Sequence, residues 1–189
     1  MREKTHKGFT LIELLVVMMI IIAVGSIIAG IIVVSLRGGN RSVNVNEVRQ
    51  TGEYTLSQMT KMVAFAKSFD GIGKLVLGNI VYETDCTTQA GVEFTHLKLT
   101  SFDNTQTTFI CDYNATTIAS QSASRTVELI NSTKFNLDVC TFKCTQNSIA
   151  TAPVIEINFT LSKNSPSTFV ENKISIPFGT TVGFRNLAN

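Results

Sequence analysis

Residues 14–36 read LLVVMMIIIAVGSIIAGIIVVSL, 23 positions without a charge. As a helix rising about 1.5 Å per residue the run spans roughly 35 Å, enough for a hydrocarbon core about 30 Å thick. Arg2, Lys4 and Lys7 precede it, and Arg37-Gly38-Gly39-Asn40-Arg41 follows it as the exit from the bilayer, where the two glycines are expected to loosen the helix. The basic N-terminal cluster orients that end to the cytoplasm and the rest of the chain outside. A secretory signal peptide needs a shorter apolar stretch, about 7–15 residues, followed by a small-residue cleavage site; this run is too long and lacks that site. The expected localisation is a single-pass cell-membrane protein with an external C-terminal domain.

Beyond the run, apolar residues from Val43 onward recur at Val45, Val48, Leu56, Met59, Val63, Ala66 and Phe69, spacings that place them on one helical face. The spacing predicts a helix from Phe9 to about Phe69, stopped by Asp70-Gly71-Ile72-Gly73, with its second half covering a sheet. The remainder reads as strands. Val154 to Leu161 alternates Ile155, Ile157, Phe159 and Leu161 with Glu156, Asn158 and Thr160, the pattern of a half-buried antiparallel strand. Further strands are expected at Lys74–Tyr82, Val92–Phe102, Gln106–Asp112, Arg125–Leu129, Lys134–Phe142, and Lys173–Phe178 leading into Thr180–Arg185. Turns are expected at Ser101-Phe102-Asp103-Asn104 and Ser162-Lys163-Asn164-Ser165-Pro166. One helix followed by consecutive strands predicts an α+β fold with a C-terminal antiparallel β-sheet domain.

Composition narrows the chemistry. The mean hydropathy of +0.22 comes largely from the apolar run, the remainder being rich in Thr, Asn and Ser. The net charge of +2 resides in the first eight residues, beyond which 13 basic side chains balance 13 acidic ones, so no nucleic-acid partner is implied. His6 and His96 are the only histidines. With no second external His, no nucleophile elbow and no Gly-rich phosphate loop, the chain offers no enzyme to propose and no cofactor. His96 is expected to be a surface or half-buried strand residue. Asn40, Asn114, Asn131 and Asn158 begin N-x-S/T triplets that a Thr-rich chain contains by chance.

Cys86, Cys111, Cys140 and Cys144 all lie on the external side, where an even count reads as disulfides. Their spacing contains no C-x-x-C, and His96 is the only imidazole nearby, so a metal site is not expected. The favoured pairing is Cys86 with Cys111 and Cys140 with Cys144. The second bond requires a turn or bulge at Thr141-Phe142-Lys143, because residues four apart on a regular strand lie about 13 Å apart.

The junction Lys7-Gly8-Phe9-Thr10-Leu11-Ile12-Glu13-Leu14-Leu15-Val16-Val17 resembles the processing site of type IV pilins and of type II secretion pseudopilins. The resemblance covers about the first thirty residues. It implies a prepilin peptidase cut between Gly8 and Phe9, N-methylation of Phe9, and a role for Glu13 in assembly through the Phe9 amine of an adjacent subunit. It also implies a pilin-like long helix packed by its outer half on the sheet domain. The chain departs from the pattern in its anchor, which has Gly25 and Gly30 where many pilins carry a kinking proline. An acid inside a membrane segment costs a few kcal/mol unless it finds a partner. Thr10 and Glu13 also have the S/T-x-x-E spacing of a capping box.

The chain therefore reads as a leader (1–8), an assembly and membrane half of the helix (9–36), an amphipathic half (37–69) and a β-rich external domain (70–189). The expected function is a structural filament subunit held in membrane lipid before assembly. Its partners would be prepilin peptidase, other pilin-like subunits and the inner-membrane assembly machinery, and the assembled filament would be extracellular. Gly25 with Ala29, and Ser26 with Gly30, have the small-xxx-small spacing that lets helices approach. The alternative is a membrane-anchored extracellular binding module that does not polymerise.

Overall fold

The computed structural model describes residues 8–123, 125–164 and 174–185. Within them lie one helix, α1 (Leu11–Ala64), and nine strands: β1 (Ser68–Val76), β2 (Asn79–Glu83), β3 (His96–Thr100), β4 (Gln106–Asp112), β5 (Thr117–Ser122), β6 (Arg125–Glu128), β7 (Phe135–Thr145), β8 (Val154–Lys163) and β9 (Ser175–Gly183). The fold is α+β. Every strand pairing is antiparallel, in a six-stranded sheet of order β2-β1-β3-β4-β5-β6 and a three-stranded sheet of order β7-β8-β9. Two compact units are distinguished, with their boundary inside α1 between Ser42 and Val43.

In the first unit, every described residue is exposed and its most apolar 18-residue window has a mean hydropathy of 3.0. The helix is long and apolar enough to cross a membrane. It runs on through Gly38-Gly39. The Ser26 hydroxyl donates to the Ala23 carbonyl at 2.8 Å, so this polar group is satisfied within its own helix.

In the second unit, α1 buries Val48, Gly52, Thr55, Met59 and Val63, at spacings of three and four, and Ala64 beside the last of them. Val48, Met59 and Val63 are fully buried, each contributing on the order of 1.5–3 kcal/mol. Val43, expected on this face, is exposed. Gly52 and Thr55 belong to it instead. A Cβ at Gly52 would overlap the Phe178 ring, which is itself stacked on Phe159 at 5.2 Å. Glycine lets this strand ring lie against the helix backbone. The Thr55 hydroxyl donates to the Leu129 carbonyl at 3.3 Å.

The helix ends at Ala64, five residues before the expected Phe69, and Asp70-Gly71-Ile72-Gly73 lies within β1 rather than forming a stop. The Lys67 amide already bonds to the Thr100 carbonyl at 2.8 Å, so pairing with β3 captures the chain just after the last turn. Asp70 is the extra residue of a bulge between Phe69 and Gly71, and Gly71 takes φ +130° to accommodate it.

Gln106–Asp112 forms the strand expected of it, and Val154–Leu161 extends to Lys163. The expected strand Lys74–Tyr82 is instead a hairpin, turning at Leu77 (φ 49°) and Gly78 (φ 85°). Val92–Phe102 is a strand only over His96–Thr100, with Phe94 making an isolated bridge to Phe142. Thr180–Gly183 joins Ser175–Phe178 in one strand, which ends before the expected Phe184 and Arg185, while Lys173 lies outside the described residues. No sequence pattern marks β5. Ser101–Asn104 turns as expected, but Ser162 and Lys163 are in β8, and Ser165 and Pro166 lie outside the described residues.

The core fills the space between the sheets with Phe94, Leu97, Phe109, Ile118, Phe142, Ile155, Ile157 and Phe159. Both disulfides cross it, but not with the expected pairing. Cys86 bonds Cys144, with Cα atoms 5.5 Å apart, and Cys111 bonds Cys140, with Cα atoms 5.7 Å apart. From Cys140 to Cys144, β7 pairs residue by residue with β8, without the turn that joining these two would need. Both cysteines face the core about 13 Å apart along the strand, and each meets a cysteine from across the core.

Candidate functional site

The N-terminal segment begins with Gly8, Phe9 and Thr10 ahead of the first helical residue, Leu11. Thr10 is the helix cap. Its carbonyl accepts the amides of Glu13 and Leu14 at 3.1 and 3.2 Å, and its hydroxyl accepts the Glu13 amide at 3.3 Å. One half of the capping box is thus formed, by the threonine side chain. Glu13 is exposed on the first turn, where a carboxylate also complements the positive end of the helix dipole. Phe9 is 77% exposed, Leu11 84% and Ile12 72%. No neighbour stands within 4 Å of a Cβ placed on Gly8. The structure therefore puts Gly8, Phe9 and Glu13 on one short, uncovered stretch.

The four cysteines form cross-links. Among the described residues no group of three His, Cys, Asp or Glu side chains is arranged to hold a metal.

His96, expected at the surface or half-buried, is buried. It begins β3 opposite Gly73, with the Tyr82 ring edge-on at 6.4 Å and the Thr95 hydroxyl 2.9 Å from Nδ1. Burial pushes its pKa down, against an opposing pull from the Asp112 charge. Neutral imidazole is favoured.

Residues to which the sequence assigns no chemical role gather on the outer face of the six-stranded sheet. Asp70 is partly buried, and its desolvation raises the pKa. Hydrogen bonds from Thr100, Gln106 and Ser68, with the charge of Lys98, outweigh that effect and leave the net shift downward. Tyr82 is shifted up by burial, less a contribution from Thr108. These residues come from separated segments, so only strand register could have assembled them. No family model, curated protein or solved structure matches the chain.

Proposed function

We propose that this chain is a structural subunit of a type IV pilus-like or type II secretion pseudopilus filament. The observation that carries the reading is Lys7-Gly8-Phe9-Thr10-Leu11-Ile12-Glu13, with its acid at the head of an uncovered apolar helix. On this reading the basic end is cytoplasmic, prepilin peptidase cuts between Gly8 and Phe9, and the β domain is exported, its outer helix half packed on the sheets in pilin fashion. Cleavage leaves a positive amine on Phe9 among apolar side chains. Pairing that amine with Glu13 of an adjacent subunit neutralises two charges that are each unfavourable in an apolar environment, and does so only in one axial register. A filament core made of such helices is as apolar as lipid, so transfer out of the membrane is feasible. The two disulfides suit an oxidising exterior.

A second reading, an anchored extracellular binding module that does not polymerise, draws on the Thr10 cap. There Glu13 would act only at the helix start. Intact mass of the mature protein and coexpression of Glu13→Gln with wild type separate the two. A filament subunit loses residues 1–8 and carries a methylated Phe9, Gly8→Leu stays precursor, and the Gln variant is cut but poorly incorporated. An intact leader, or equal incorporation of the Gln variant into sheared surface filaments, would refute the charge-paired filament.

A further inference from the structure

The outer face of the six-stranded sheet carries a cavity of about 520 Å³ whose lining includes Tyr82, Lys98, Asn104, Gln106, Thr108 and Gln121. Register builds its floor. Lys98 stands opposite Thr108, and Thr108 opposite Gln121, so three neighbouring strands present one polar row. On β1 the corresponding outward positions are Gly71, opposite Lys98, and Gly73, opposite His96. With no side chains there, the Tyr82 ring lies down across the strand, and a Cβ on Gly73 would come within 2.9 Å of two ring carbons. The Lys98 ammonium stands 5.2 Å from the centre of that ring.

The rim is fixed by chemistry. The Asp70 carboxylate accepts from Ser68 Oγ at 2.9 Å, Thr100 Oγ1 at 2.5 Å and Gln106 Nε2 at 3.0 Å. Lys67 Nζ donates to Asn104 Oδ1 at 2.6 Å. A carboxylate only accepts and an ammonium only donates, so neither amide has a free choice of orientation. Gln106 is left with its carbonyl oxygen as a spare acceptor and Asn104 with its NH₂ as a spare donor. The Gln121 side chain, on a residue paired through its backbone with Thr108 and Thr126, makes no hydrogen bond to a described residue and keeps both functions.

We propose that this cavity binds a sugar ring bearing a carboxylate, as in the uronic or sialic acid residues of a glycan. Each sugar hydroxyl donates and accepts together, and neighbouring hydroxyls meet their complement in amides held with one function free. Lys98, the only ammonium or guanidinium of the lining, receives the carboxylate. The polar row offers none of the aliphatic pockets that peptide side chains fill. This inference stands whether or not the chain polymerises.

The test uses the full-length protein in a zwitterionic detergent free of sugar headgroups. Saturation-transfer NMR titrations are run with methyl β-D-glucuronide, a methyl α-sialoside, methyl β-D-glucoside and sodium acetate. At least one acidic sugar is expected to saturate at about millimolar concentration, the glucoside about fivefold more weakly, and acetate not at all. Lys98→Met should erase the preference for the acidic sugar, and Gln121→Ala should weaken binding about fivefold, the loss of one net hydrogen bond. Both side chains lie on the outer face, and a cooperative urea transition in each variant verifies folding. The proposal is overturned by the absence of saturation transfer from either acidic sugar. It is equally overturned if acetate displaces them as well as the glucoside does, or if folded Gln121→Ala binds like wild type.

Discussion

The Tyr113 hydroxyl donates to the Cys140 carbonyl at 2.6 Å and accepts the Cys140 amide at 3.1 Å. It acts as a one-residue substitute for a strand along the free edge of β7, beside the bulge at Asp138. Thr116 accepts from the Leu137 amide on the same edge, and Phe94 exchanges both backbone bonds with Phe142. Tyr113→Phe removes two bonds and leaves two backbone groups unpaired. Loss of about 1–3 kcal/mol in urea unfolding is expected, and a neutral result would contradict this role.

Trypsin offers a direct check of the cross-links, because Lys74, Lys98, Arg125, Lys134, Lys143 and Lys163 separate the four cysteines onto different peptides. Without reduction, peptide 75–98 should travel with 144–163, and 99–125 with 135–143. Joining of 75–98 to 99–125 would show the other pairing. Closing loops of 58 and 29 residues stabilises by roughly 4 kcal/mol each on the chain-entropy account, so Cys111→Ala with Cys140→Ala should lower stability by about that amount.

Helix propensity and packing oppose each other at Gly52. Alanine is the better helix former by about 1 kcal/mol, yet its methyl would meet the Phe178 ring, which Phe159 backs. Overpacking of this kind costs about 1–3 kcal/mol. Gly52→Ala is therefore expected to destabilise in urea unfolding, and the double variant with Phe178→Leu to recover part of the loss.

Acid should weaken the β domain in two stages. His96 has a pKa below its ordinary 6.5 in the folded chain, so the unfolded chain binds its proton first and stability falls as pH drops through about 6.5. Asp70 is likewise below its ordinary 3.8, so a further loss begins near that pH and runs on downward. Both contributions are fully present above pH 6.5. Urea midpoints between pH 8 and 5 should show the first stage in wild type and a flat profile in His96→Gln.

Strong periodicity makes some elements legible in the amino-acid sequence. The alternation of Ile155, Ile157, Phe159 and Leu161 marks β8 because each apolar residue faces one core, whereas the uncharged run marks the first half of α1 by its length and hydropathy alone, with no core against it. β5 escapes because Ala119, Ser120, Gln121 and Ser122 have little of the branched or aromatic bulk that signals a strand. The first hairpin reads as one strand because Leu77 occupies a left-handed turn position where Asn or Gly would have announced it. At the N-terminus, the Thr10–Glu13 spacing foretells the half-cap that forms. The cysteine partners and the Gln106–Asp70 contact depend on which strands meet, which local pattern does not encode.

The bond between Cys86 and Cys144 also bears on pulling. If the chain is stretched from residues on either side of this pair, load passes through the sulfur atoms, and residues 87–143 are left out of the force path. At about 3.5 Å per residue, roughly 200 Å of chain is thereby withheld from extension. Such a domain can yield only in the strands outside that loop, β1 and β2 on one side and β8 and β9 on the other, and the slack within it is released by a reductant rather than by tension.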